Sequence, residues 1–325
     1  MRTIDWVDGA VEIIDQTALP DTERTLRLTT VDEVIDAIQR LAVRGAPAIG
    51  VAGALGVAIA ARQYADEPDA LTSAVLRLET ARPTAVNLAR GVRTAASALG
   101  GGPQAVLDAA LALRDAEIAS SAAMAERGAD LVAVLCGSAP RLLTHCNTGG
   151  LATVTGGTAL GVVAELHRRG GLGAVIASET RPLLQGARLT AWELGRLGID
   201  YQVAVDGAGP FLMARGEVDA VILGADRVCA NGDVINKVGS YAHALGARAA
   251  GIPFIVVAPE TTVDEHTPSG ETVEIEDRAA DEVLHFGNAR SAPPGARAIN
   301  PAFDVTPYHL VTAIVTDTRV IEPNA

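Results

Sequence analysis

The sequence predicts an α/β protein: a mainly helical N-terminal domain followed by a doubly wound parallel-sheet C-terminal domain. Three observations predict it. Helical periodicity dominates as far as about Arg127, with only short strand-like runs before it. From Arg141 onward, short apolar runs alternate with helical ones, the pattern of a parallel sheet covered on both faces. The length of 325 residues suits about two domains. A border is expected between Glu126 and Pro140, dividing the chain into 1–128 and 129–325.

The elements follow in order. Val11–Ile14 and Thr25–Thr29 are expected as short strands. Thr30 and Glu33 form a capping-box pattern that opens a helix over Val31–Ala42. The run APAIGVAGALGVAIAA (Ala46–Ala61) falls short of a membrane span and reads as a buried core helix. Pro68–Thr80 carries its proline in the first turn, where proline is tolerated. Thr84–Leu99 and Pro103–Arg127 are further helices, separated by a loop at Gly100–Pro103. In the second half, strands are expected at Arg141–His145, Ala174–Ala177, Gln202–Val205, Ala220–Gly224 and Pro253–Val257. Helices are expected between them, near Thr153–Arg169, Leu183–Leu197, Gly207–Arg215 and Ser240–Ala250. The polar stretch Val263–Arg290 matches neither pattern.

Composition excludes several functions. At 49% hydrophobic the chain can bury a large core, which argues against disorder. A net charge of −13 disfavours nucleic acid and anionic membranes as partners. A small anionic substrate would then need a local cationic pocket. The three cysteines, Cys136, Cys146 and Cys229, are widely spaced without a CxxC, against a disulfide framework or a zinc site and in keeping with a reducing cytosol. MRTIDWVDGAVEIIDQ mixes acidic and apolar residues, unlike a signal peptide. A soluble, cytoplasmic protein is expected. No HExxH, GxGxxG or P-loop pattern occurs.

In an open parallel sheet, ligands bind beyond the carboxyl ends of the strands. Polar clusters follow four of the predicted strands: Thr144–Gly150, Ser178–Arg181, Gly224–Arg227 and Ala258–Glu260. Cys146 sits between a strand and a glycine-rich turn expected to open a helix, whose N-terminus would lower the thiol pKa. A small buried hydrophobe is the other reading of that residue. Asp226 ends the apolar run DAVILGAD. Burial there would raise its pKa and make it a proton donor; a helix cap or an ion pair with Arg227 is the alternative. Arg44-Gly45-Ala46-Pro47 precedes the Ala-rich helix, whose free N–H groups favour phosphate. As a signal this is weak, as is Arg82 in ARPTAVNL. A His145–Cys146 dyad is disfavoured, since adjacent strand residues point to opposite faces. Lys237 is the one lysine among 26 basic residues. An ammonium is a compact point charge where guanidinium is a wide planar fork, so a closed pocket could require it.

RGAPAIG, ARPTAVNL, LTHCNTGGLATVTGGTALGVV, ETRPLLQGARLTAWEL, GADRVCANGDVINKVGSY and NPAFDVTP together resemble the methylthioribose-1-phosphate isomerase family of methionine salvage. That family is related to the regulatory alpha, beta and delta subunits of the exchange factor for translation initiation factor two. The likeness covers almost the whole chain. It implies a helical N-terminal domain, a Rossmann-like C-terminal domain and a homodimer. It implies Cys146 and Asp226 as the catalytic pair, with substrate contacts at Arg44, Gly45, Ala46, Arg82, Gln185, Asn236 and Lys237. The residues alone do not single out Gln185 or Asn236.

The reaction so implied is an aldose–ketose isomerisation without a metal or organic cofactor. Phosphate on the anomeric oxygen blocks opening to a free aldehyde, so the ring oxygen must be protonated as its bond breaks, a role for Asp226. Hydrogen then moves from C2 to C1, as a proton through Cys146 or as a hydride beside it. Two other substrates fit the same family, ribose 1,5-bisphosphate and a 5-deoxyribose 1-phosphate. The bisphosphate would need cations beyond Arg44 and Arg82, which the N-terminal half does not show. A non-catalytic regulatory subunit is the reading outside the enzymes, and it would not need Cys146, Asp226 and Lys237 together.

Overall fold

The computed structural model describes residues 2–83, 85–287 and 289–323. The chain forms two compact units. One comprises Met1–Ala122 with Thr148–Gly157; the other comprises Ala123–Asn147 with Thr158–Ala325. The division therefore falls inside a helix, not at 128/129, and residues 148–157 belong with the N-terminal part.

The first unit begins with an antiparallel three-stranded sheet, β1 (Ile4–Val7), β2 (Ala10–Ile14) and β3 (Thr25–Leu28). The helices α1 (Val31–Gln39), α2 (Ala46–Gln63), α3 (Pro68–Glu79) and α4 (Val86–Ala96) follow. The expected start of α4 at Thr84 lies outside the described residues. The capping box is present: Thr30 accepts from Glu33 N–H while Glu33 reaches back to Thr30. Helix α2 is long and apolar enough to cross a membrane, contrary to the sequence expectation, but 78% of it is buried within the protein. It is buried on every side because Ala and Gly let its neighbours approach closely. A Cβ on Gly91 of α4, for example, would stand 2.0 Å from Gly50 O of α2. Helix α5 (Gly102–Cys136) starts within the expected glycine loop and runs nine residues past its expected end.

The second unit alternates as predicted. After α5 come β4 (Arg141–Thr144), α6 (Ala159–Arg168), β5 (Ala174–Ser178), α7 (Ala191–Arg196), β6 (Tyr201–Ala204), α8 (Gly209–Ala214) and β7 (Ala220–Leu223). A hairpin, β8 (Arg227–Cys229) and β9 (Val234–Lys237), precedes α9 (Ser240–Ala250) and β10 (Phe254–Val257). The remainder holds β11 (Val263–Asp264), α10 (Asp281–Leu284), β12 (His285–Phe286), β13 (Ala289–Arg290), β14 (Phe303–Thr306), β15 (Ala313–Val315) and β16 (Val320–Ile321).

Seven strands form the main sheet in the order β16-β15-β10-β7-β4-β5-β6, parallel throughout except β16. Strand side chains alternate between faces, and both faces are apolar. Leu142, Val175, Ile222 and Ile255 share one core with Met124 of α5, Leu160 of α6 and Leu194 of α7. Leu143, Ile176, Val221 and Val256 share the other with Met213 of α8 and Ala244 of α9. The double covering explains why the strands read as continuous apolar runs. A second sheet, β11-β8-β9-β14, sits in the same unit. Its hairpin turns at Asn231-Gly232, with Gly232 at φ +89.

Candidate active site

A ligand crevice in an open parallel sheet opens where the strand order reverses direction. From β4 the chain proceeds to β5 and β6 on one side; β7, β10 and β15 lie on the other. The reversal is thus between β4 and β7. Cys146 follows β4 and Asp226 follows β7, so both lie beyond the strands that flank the switch point.

Cys146 is 9% exposed and has φ +61, a left-handed backbone for a residue with a Cβ. Its N–H donates to Thr180 Oγ1 at 2.8 Å, and its carbonyl accepts from Thr190 Oγ1 at 2.6 Å. Asn147 Nδ2 donates to Glu193 Oε2 at 2.7 Å. The helix expected to begin at Thr153 begins at Ala159, preceded by a short turn at Gly150–Ala152. The helix N-terminus invoked for the thiol therefore does not adjoin it.

His145 is fully buried. Its Nε2 lies 2.8 Å from Val238 O, which makes Nε2 the donor, and its Nδ1 faces Thr180 Oγ1 at 3.5 Å. Burial holds its pKa below the ordinary imidazole range. His243 meets it edge-on at 5.0 Å and is pushed down to about 3 by burial and by His145. The His145–Val238 bond ties the Cys146 loop to the segment after Lys237.

Gln185 is 6% exposed, and its Oε1 has no hydrogen-bond partner among the described residues. A buried amide oxygen without a donor is a position that a ligand hydroxyl would satisfy. One turn of π-helix, Gly186–Thr190, follows it, a distortion frequent at functional sites. Gly186 is obligatory there: a Cβ would lie 1.7 Å from Ser178 O.

Asp226 is exposed, so the burial expected to raise its pKa is not supplied by the chain. The reason is that β7 ends at Leu223, and Asp226 lies on the bend leading into β8. Its N–H donates to Ile235 O at 2.9 Å. The Arg227 guanidinium lies 3.1 Å from Asp264. On the paired strand, Asn236 is 5% exposed and donates to Ser240 Oγ at 2.8 Å. Lys237 Nζ donates to Ala302 O at 2.7 Å and sits 4.5 Å from the centre of the Phe303 ring. A carbonyl and a π-face hold the ammonium without neutralising it. Asp304, opposite Asn236 in the sheet, accepts from Gly239 N–H at 2.7 Å and Tyr241 N–H at 3.1 Å. Burial pushes its pKa up to about 6 against those bonds and the Lys237 charge.

Arg44, Gly45, Ala46 and Arg82 belong to the first unit. Gly45 has φ +96 and precedes α2, and a Cβ on it would lie 2.5 Å from the Ala152 backbone. Ala46 is the first residue of α2, and Arg82 lies in the bend after α3. Cys146, Gln185, Asp226, Asn236 and Lys237 all belong to the second unit. Sequence reasoning missed Thr180 as an individual residue, Asp206 and Asp304. Asp206 follows the predicted strand Gln202–Val205, so the strand-end rule that found the other clusters could have found it. The β8–β9 hairpin was signalled by Asn231-Gly232 between apolar runs. Among the described residues, no group of three or more His, Cys, Asp and Glu stands together that could hold a metal.

The fold defines an α/β protein of the open parallel-sheet class, with Cys146 and Asp226 beyond the strands that flank its switch point. The chain belongs to the initiation factor 2 subunit family, whose model matches residues 42–323. It is 51% identical to a methylthioribose-1-phosphate isomerase of Anaeromyxobacter dehalogenans, over 96% of this chain and 90% of that one. It is 50% identical to a probable bifunctional methylthioribose-1-phosphate isomerase/methylthioribulose-1-phosphate dehydratase of Nocardia farcinica, over 99% of this chain but 60% of that protein's length. A 5-deoxyribose 1-phosphate isomerase of Moorella thermoacetica is 48% identical over 98% of this chain and 94% of that one. Among solved structures, 5-methylthioribose 1-phosphate isomerase from Pyrococcus horikoshii superposes with a TM-score of 0.92 at 38% identity, covering 99% of this chain and 92% of that one. A translation initiation factor eIF-2B subunit delta from A. fulgidus superposes at 0.88 with 41% identity, covering 100% and 96%.

Proposed function

We propose that this protein is an aldose–ketose isomerase converting 5-methylthioribose 1-phosphate to 5-methylthioribulose 1-phosphate, a step of methionine salvage. The observation that carries the reading is the pair Cys146 and Asp226 beyond the two strands of the switch point, in a chain so similar over its length to relatives named for this reaction. Asp226 is assigned the proton delivered to the ring oxygen. Cys146 is assigned the C2-to-C1 transfer, as proton carrier or as the group beside a migrating hydride. Gln185, Asn236 and Lys237, with Arg44, Gly45, Ala46 and Arg82, are assigned substrate contacts. No cofactor enters this scheme. The molecule is proposed to act as a cytoplasmic homodimer, which light scattering of the purified protein would check.

Two observations bear on neighbouring readings. The Moorella thermoacetica relative is named for 5-deoxyribose 1-phosphate, whose methyl group fits where methylthio does. A structural relative at 41% identity is named as a translation factor subunit. Turnover with 5-methylthioribose 1-phosphate, 5-deoxyribose 1-phosphate and ribose 1,5-bisphosphate side by side decides among them. Preference for the first, abolished in Cys146→Ser and Asp226→Asn, is expected. Preference for another sugar moves the substrate but keeps the chemistry; no turnover of any by folded protein defeats the enzyme reading. Substrate deuterated at C2 tests the routes: label lost to water marks proton transfer, and complete retention at C1 is the result expected of hydride transfer.

A further inference from the structure

Bonded to the Cys146 loop is a part-buried polar assembly with no part in the proposed chemistry. Asp206, two residues after the edge strand β6, accepts three hydrogen bonds from the last residue of β5 and the two residues Thr180 and Arg181 beyond it. Ser178 Oγ and Thr180 N–H, the latter at 2.8 Å, reach Oδ1, and Arg181 N–H reaches Oδ2 at 2.7 Å. These bonds hold Thr180 at φ +66. A β-branched residue rarely adopts that conformation, and it persists only where surrounding bonds over-determine it.

The conformation has a result at Cys146. It turns the Thr180 hydroxyl so that Oγ1 accepts the Cys146 N–H at 2.8 Å while donating to Ser178 O at 2.9 Å. Cys146 is itself left-handed at φ +61. Two strained residues are thus locked to each other, and the anchor of the pair is a carboxylate one strand further out. The same hydroxyl faces His145 Nδ1 at 3.5 Å, and His145 Nε2–H holds Val238 O at 2.8 Å. The chain of contacts runs Asp206, Thr180, then Cys146 on one branch and the segment after Lys237 on the other.

We propose that Asp206 and Thr180 are positioning residues that fix the direction of the Cys146 thiol. The inference rests on Cys146 being the group that acts on the substrate. Neither residue touches the reacting atoms; each acts through the backbone of Cys146. A bond to that N–H restrains the backbone torsion φ of Cys146, which sets the direction of the Cα–Cβ bond that carries the thiol.

The test is Thr180→Val against Thr180→Ser in the full-length protein. Valine keeps the shape, the β-branch and the N–H to Asp206 and loses only the hydroxyl; serine restores the hydroxyl. Thr180→Val is expected to lower kcat about 100-fold, the scale of a misplacement of about 1 Å, with KM changed less than about two-fold. Thr180→Ser should recover most of the rate. Site-resolved alkylation of Cys146, with buried Cys229 as internal reference, supplies a readout independent of turnover. Its rate and pH profile should move in Thr180→Val and return in Thr180→Ser. Asp206→Asn should shift both readouts in the same direction; if that variant does not fold, the Thr180 pair carries the test alone. Native kcat and native alkylation in Thr180→Val overturn the proposal. So do equal losses in both Thr180 variants with Cys146 labelling unmoved, because packing and not the hydroxyl would then be responsible. If the native protein isomerises none of the sugars, the isomerase reading fails and the alkylation arm still decides the positioning claim.

Discussion

The Cys146 loop and the Asp226 hairpin leave paired strands of one sheet, β4 and β7, and the chain treats them in opposite ways. Around Cys146 every element is buried and bonded: Thr180, Thr190, Asn147 and His145 are all less than 9% exposed. Asp226 is exposed on a bend, although Asn236 on the paired strand is buried. The difference matches two chemical demands. A group that must meet one carbon atom needs a fixed direction, and buried hydrogen bonds give it. A carboxylate that must deliver a proton needs to lose water at the right moment, and an exposed one loses it when the substrate covers it.

Replacing each residue should therefore give different signatures. Cys146→Ser is the larger effect, a loss of about 10⁴-fold in kcat, the upper range for removal of a positioned acid–base group. Its cost in stability should be small because serine fits the same space. Activity within about ten-fold of native would remove Cys146 from the chemistry. Asp226→Asn should cost about 10²-fold or more in kcat and leave the thermal midpoint unchanged, as exposed substitutions typically fall within about 0.5 kcal/mol. A clear drop in midpoint would mean that Asp226 is a structural group and would erase the contrast.

Much of this contrast is legible in the amino-acid order, and what is not has a physical cause. The strands of the main sheet can be read because burial on both faces makes them apolar throughout, as in Ala220–Leu223 and Phe254–Val257. The rule that sites follow strand ends then leads to Cys146 and Asp226. The expected burial of Asp226 fails because DAVILGAD shows where a strand is, not that it ends at Leu223, three residues before Asp226. Thr180 is opaque because its importance lies in a left-handed torsion and in a partner 26 residues away, Asp206, although the strand-end rule reaches Asp206 itself. The helix expected from Thr153 fails because TVTGG holds two glycines at positive φ, Gly156 and Gly157, which break the turn. A Cβ on Gly157 would lie 2.3 Å from Thr148 O, so this break is itself part of the packing around residues 148–157.

Lys237 sharpens the comparison on the hairpin side. Its ammonium fits between Ala302 O and the Phe303 ring. Arginine keeps the charge but is planar and wider. Lys237→Arg should keep the fold and lose about ten-fold in kcat/KM, a loss of about 1.4 kcal/mol of transition-state stabilisation. Near-native turnover would show that the site has room for a guanidinium and that the single lysine has no steric cause.

The smallest effect is a pH dependence of stability, and it too divides the site. On the Cys146 side, burial keeps His145 and His243 neutral, His243 with a pKa of about 3, whereas unfolded histidine titrates near 6.5. Between about 6.5 and 3 the unfolded chain therefore binds protons that the folded chain refuses, and stability falls as pH is lowered. On the hairpin side, Asp304 has the opposite sign. Its folded pKa is raised to about 6 from 3.8, so in that interval the folded chain holds the extra proton. Its contribution is present at low pH and is lost as pH rises toward 6. The two groups oppose each other in the same window. Asp304→Asn keeps an acceptor for Gly239 and Tyr241 N–H but removes the titration. The variant should lose stability more steeply than the native protein as pH is lowered from 6 to 4, and His243→Leu should lose it less steeply. Urea unfolding at several pH values reads both slopes, and parallel slopes in native and Asp304→Asn protein would show that Asp304 titrates like an ordinary exposed carboxylate.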